Sequence, residues 1–186
     1  MITIKNWETL VNKQFEVDRL IIEKNTIDLK WFSYSNVKRL KLALLVEVGE
    51  FANEIKSFKA WQKKIEINWV KAKEELIDCL GYFIGLCSIY QIDFLFNLVE
   101  EKVQDLPFNE LLLDFFVKTN ELFIVEEEQF YKLGATKLTE KNSINTYYSW
   151  LKIFNQICYK LSINEQELLD IYLEKNRINQ QRANEK

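Results

Sequence analysis

The stretch LALLVEVGEFANE, residues 42–54, reads as a helix face that begins apolar and turns acidic. At about 100° per residue, Leu40, Ala43, Leu44, Glu47, Glu50, Phe51 and Glu54 share one sector. A stripe that should continue into a core is therefore interrupted by three acids. Burying an unpaired carboxylate costs several kcal/mol, so something positive must meet them. The stretch EELIDCLGYFIGL, residues 74–86, repeats the pattern: Glu75 and Asp78 lie on the side that carries Cys79, Tyr82 and Leu86. Helices joined by a short loop tend to pack antiparallel, which brings the two acid pairs face to face. Four converging carboxylates cannot all ionise at neutral pH without compensation. A hard divalent cation supplies it, and all-oxygen ligation selects Mg²⁺ or Mn²⁺ over Zn²⁺ or iron.

Composition agrees with a helical chain. Among 186 residues there are only 4 Gly and 1 Pro, too few for the hairpin turns of a sandwich or barrel or for a glycine-rich phosphate loop. With no His, imidazole-ligated zinc, His-based triads and His–carboxylate di-iron sites are excluded. A net charge of −3 argues against a duplex nucleic acid partner, which is held through Lys and Arg on phosphates. No apolar run approaches the roughly 20 residues that span a bilayer, and the first residues lack the apolar stretch of a signal peptide. The three cysteines, Cys79, Cys87 and Cys158, are odd in number and set among apolar residues, as buried reduced thiols are. A cytoplasmic protein is expected.

Periodicity and end signals predict an all-α bundle of six or seven helices in one domain, residues 1–186, with the acids between the second and third. Helices are expected at 7–24 (on Trp7, Leu10, Val11, Phe15 and Ile22), from a Ser35 cap to 58, at 69–90, briefly from Asp93, from Pro107 and Asn109 to 133, at 144–161, and from Asn164 onward. Asn164 and Glu167 have capping-box spacing, and GATKLTEKNS, residues 134–143, is the clearest break.

The acid pairs, Glu47 with Glu50 and Glu75 with Asp78, resemble the signature of the all-α nucleoside triphosphate pyrophosphatases, and among these the dimeric dUTPases. FKAW, residues 58–61, is similar to that family's F-K-x-W. Gln14 and Asp18 are similar to its Q-x-x-L-[DN] segment. YLEKNRINQQR is similar to its tail at Tyr172, Lys175, Asn176, Asn179 and Arg182. Where the family often carries a His after the second acid pair, this chain has Gly81 and Tyr82, and 105–142 matches no motif.

The resemblance implies Mg²⁺-dependent hydrolysis of dUTP, with dUDP as a second substrate, to dUMP, limiting uracil in DNA. By carry-over Glu47, Glu50, Glu75 and Asp78 are metal ligands, with Glu50 also orienting or deprotonating the attacking water. Lys175, Asn179 and Arg182 would close over phosphates and sugar, Gln14 would read the uracil edge, and Trp61 would offer the base a stacking face. Asp18, Asn53 and Lys59 complete the substrate set. The resemblance also implies a homodimer, and stretches such as LLLDFFVKTNELFIV, residues 111–125, carry the apolar surface for one. A regulatory protein partner is compatible with the sequence and is not read from it. Two other readings remain open at this point: a related pyrophosphatase for another nucleotide, and a non-catalytic helical module whose acids bind a partner.

Overall fold

The computed structural model describes residues 4–24, 33–92, 94, 104–132, 138 and 141–185. Those residues form seven helices and no strand: α1 (Ile4–Lys24), α2 (Tyr34–Ile55), α3 (Trp69–Ile89), α4 (Phe108–Glu121), α5 (Glu127–Lys132), α6 (Lys141–Lys160) and α7 (Glu165–Asn184). The expected short helix at Asp93 and most of the 134–143 break lie outside the described residues. Among the described residues, no helix is long and apolar enough to cross a membrane.

Local chemistry sets most of the boundaries. Asn68 caps α3 by accepting from Lys71 N–H, and Asn164 caps α7 by accepting from Glu167 N–H, as its spacing predicts. The cap of α2 is Ser33 rather than Ser35: Ser33 is extended, and its hydroxyl accepts from Asn36 N–H at 3.2 Å. At the other end α2 stops at Ile55, short of 58, because Lys56 turns left-handed at φ 58°. The helix expected to run to 133 breaks after Glu121. Here tertiary partners replace helical ones. Lys41 Nζ donates to the carbonyls of Asn120 and Leu122, Phe123 N–H donates to Thr146 Oγ1, and Val125 N–H donates to Tyr90 Oη. On α1, Trp7, Leu10 and Val17 are buried, whereas Phe15, expected in the stripe, faces outward.

α2 and α3 pack along their length, α4 covers α2 and meets α6, and α1 and α7 lie together against α3. The core centres on Trp150 of α6, stacked on Phe83 of α3 at 3.9 Å and on Phe154 at 5.4 Å. Cys79, Cys87 and Cys158 are buried free thiols, and burial pushes each one's pKa up.

The indole N–H of Trp150 donates to Thr119 Oγ1 at 2.9 Å, with both residues fully buried. Thr119→Val keeps the shape and removes the acceptor, leaving the indole donor unpaired. Urea denaturation should show a loss of about 1–3 kcal/mol. An unchanged midpoint would mean that the bond contributes nothing to the core.

Candidate active site

Where α2 faces α3, the apolar packing stops at three carboxylates. Oxygens of Glu47, Glu75 and Asp78 all lie within 4.8 Å of one another. Desolvation is the first reason that all three hold protons above the ordinary carboxylate range, and their mutual repulsion adds to it for Glu47 and Glu75. Glu47 is raised to about 7. Two lysines offset part of this charge. Lys175 of α7 reaches Asp78 at 2.5 Å, and Lys71 spans Glu54 at 3.4 Å and Glu75 at 3.7 Å. Glu50, one turn beyond Glu47, is exposed and stands outside the 4.8 Å group, but its charge raises both Glu47 and Glu75.

The group opens on a cavity of about 280 Å³ between α1, α2, α3 and α7. Glu47 and Asp78 line it, and so do five of the substrate-binding residues singled out from the sequence: Gln14, Asp18, Lys175, Asn179 and Arg182. Asn53, Lys59 and Trp61 do not line it. Asn53 is exposed on α2, Lys59 Nζ lies 5.5 Å from the Phe58 ring centroid, and Trp61 is 72% exposed, touching Phe58 edge-on. Trp61 is thus no part of the core, although a bare Trp in such a chain more often is.

Sequence reasoning assigned no role to Arg39, Tyr82, Tyr172 or Asn176, which also line the cavity. The last two stand inside the tail segment, so their spacing was a usable signal. Arg39 had none, since a charged residue on a helix is ordinary. Tyr172 Oη donates to Gln14 Oε1 at 2.8 Å, and Gln14 Nε2 donates to Asp18 Oδ1 at 3.0 Å. Both ends of the Gln14 carboxamide are thereby fixed. Gly81 makes room for it: a Cβ there would sit 3.1 Å from Gln14 Oε1. The chain of bonds ends at Asp18 Oδ2, a buried oxygen with no partner, and Asn176 Oδ1 is another.

Clustered carboxylate oxygens of this kind could hold a metal ion. The raised proton affinities fit the same conclusion, since these acids want positive charge. Helices alone among the described residues, with grouped acids beside a cavity carrying Lys175 and Arg182, agree with the all-α pyrophosphatase class. A family model described as dUTPase matches residues 6–186, and the chain belongs to that all-α dUTPase family. It is therefore a dUTP diphosphatase, a hydrolase of nucleotide metabolism. No individual curated protein matches the chain.

Asp18 generates a pH prediction. Desolvation raises it from 3.8 to about 7 against the pull of Gln14 and Arg39. Between those values the unfolded chain loses the proton while the folded one keeps it, so stability falls as pH rises and the full cost is reached above about 7. Asp18→Asn removes that penalty, a few kcal/mol in size. In thermal melts of the metal-free protein, the variant's gain over wild type should be larger at pH 8 than at pH 5. A gain independent of pH would contradict the assignment.

Proposed function

We propose that this chain hydrolyses dUTP, and dUDP as a second substrate, to dUMP in a Mg²⁺-dependent reaction, with Mn²⁺ able to substitute. The observation that carries the reading is the three-carboxylate group beside a cavity whose wall includes Lys175 and Arg182. Glu47, Glu75 and Asp78 would hold the divalent ion, with Glu50 as a further ligand at the exposed edge. When bound, such an ion neutralises phosphate charge and activates water.

The chain's own residues supply the rest. Water adds to the α-phosphorus and the bond to the bridging oxygen breaks, giving dUMP and pyrophosphate from dUTP. Glu50, the most exposed of the four acids, takes the water's proton. Lys175, relieved of Asp78, turns to phosphate oxygens together with Arg182. Asn179 meets the sugar, and Gln14 holds Asp18 toward the base. Lys59, Trp61 and Asn53 meet the nucleotide from outside the cavity, and the Trp61 indole is free of the core to do so. Residues 1–186 act as one domain, in keeping with the packing of α1 on α7 from opposite ends of the chain. The expected setting is cytoplasmic, where the reaction limits uracil in DNA and supplies dUMP.

We also propose a homodimer. Leu42 and Val46 on α2, with Leu113, Phe116 and Val117 on the neighbouring α4, remain exposed after the core is filled. An apolar surface of that kind marks an interface, and a two-fold arrangement closes it. Light scattering at micromolar concentration should give the mass of two chains; the mass of one chain would refute the dimer.

Pyrophosphate release from dUTP should require added Mg²⁺ or Mn²⁺. Asp78→Asn should lower turnover well below a tenth of wild type while the protein still melts cooperatively. A variant retaining more than a tenth, equivalent to only about 1.4 kcal/mol of barrier, would remove Asp78 from the site.

A further inference from the structure

The acid group already holds a cation of the chain's own. Lys175 of α7 places its ammonium 2.5 Å from Asp78 Oδ2, and Asp78 is its only ion-pair partner among the described residues. The two side chains are only 22% and 20% exposed, so water and salt screen this pair less than they screen a surface pair. The second lysine at the group differs on each count. Lys71 stands 3.4 Å from Glu54 and 3.7 Å from Glu75, divides its charge between them, and is 52% exposed. Asp78 is also one of the three acids whose oxygens lie within 4.8 Å of one another. An ammonium pressed on that carboxylate and a divalent ion held among the three acids repel each other and draw on the same negative charge. Lys175 lines the cavity, as does Arg182 about two turns further along α7, so an ammonium that leaves Asp78 has the cavity to turn into.

We propose that Lys175 is the resident counter-cation of the acid group: its ammonium occupies Asp78 when no ion is bound, and it competes with the divalent ion for that carboxylate. This rests on the metal-dependent dUTPase reading above. An apparent affinity falls by the fraction of molecules in which the binding group is free, so the tighter the Lys175–Asp78 pair, the weaker the ion binds. The ion in turn frees Lys175. The cavity therefore gains that cation for phosphate only once the acid group is loaded, and a nucleotide that comes without the ion meets a Lys175 still engaged.

Calorimetric titration with Mn²⁺ at pH 8, without nucleotide, compares wild type, Lys175→Met and Lys71→Met, each checked for a cooperative melt. Lys175→Met should tighten Mn²⁺ binding about 10-fold or more, the equivalent of a charged hydrogen bond of about 1.5 kcal/mol or more. Lys71→Met removes the same charge from an exposed pair and should tighten it only about twofold. Equal affinity in Lys175→Met and wild type would overturn the proposal, because ion and ammonium would then share Asp78 through its two oxygens. Equal gains in both variants would overturn it too, since only net charge would then matter. Pulse acetylation of wild type, read by mass spectrometry, gives a second measurement that needs no variant to fold. Lys175 should react slowly without Mn²⁺ and several-fold faster at saturation, with Lys13, on an exposed pair with Glu16, unchanged as the reference. A Lys175 rate that Mn²⁺ does not change would overturn the competition. If neither wild type nor Lys175→Met binds Mn²⁺, the metal-dependent reading fails and the proposal with it. If wild type binds and Lys175→Met binds no more tightly, only the Lys175 assignment fails.

Discussion

Like-charge repulsion inside an apolar helix–helix contact is the constraint on which this molecule is arranged. Glu47, Glu75 and Asp78 are brought within 4.8 Å because α2 and α3 pack along their length through Leu40, Leu44, Val48, Phe51, Leu76 and Leu80. Folding energy from that packing holds together acids that would otherwise separate. Lys175 and Lys71 offset the charge only in part, and the carboxyls keep raised proton affinities. α7 is drawn into the site through Lys175, and with it come Tyr172, Asn179 and Arg182.

A second strain of the same kind sits across the cavity. Asp18 is buried with one oxygen unpaired, and Asn176 keeps an unpaired carbonyl nearby. Unpartnered buried acceptors cost stability and are retained where a ligand completes them. Tyr172, Gln14 and Asp18 form a run of hydrogen bonds that leaves Asp18 Oδ2 as its open end. Gln14 is thereby held at both ends of its carboxamide, between Tyr172 and Asp18.

The helical fold and the clustering of Glu47, Glu75 and Asp78 were legible because these acids break a rule visible in one dimension: acids at i, i+3 spacing inside an apolar stripe. The caps at Asn68 and Asn164 follow from local chemistry and were equally open to inspection. The end of α4 was not, because its stop depends on Lys41, Tyr90 and Thr146, all far away in sequence. Arg39 escaped notice for a related reason. What sets it apart is that it lines the cavity with residues of α1, α3 and α7, a relation that depends on tertiary packing and has no sequence period. Trp61 shows the converse: a motif match and a large aromatic ring marked it, but its burial could only be read in three dimensions.

The central claim is that the Glu47–Glu75–Asp78 group is a divalent-cation site whose ligands hold protons until the ion displaces them. Calorimetric titration of the nucleotide-free protein with Mn²⁺ at pH 6, 7 and 8 tests it most directly. With Glu47 at about 7, affinity should rise with pH across that range, with protons released to the buffer on binding, and Asp78→Asn should abolish the signal. Binding of equal strength at all three pH values, or binding that survives Asp78→Asn, would contradict the account.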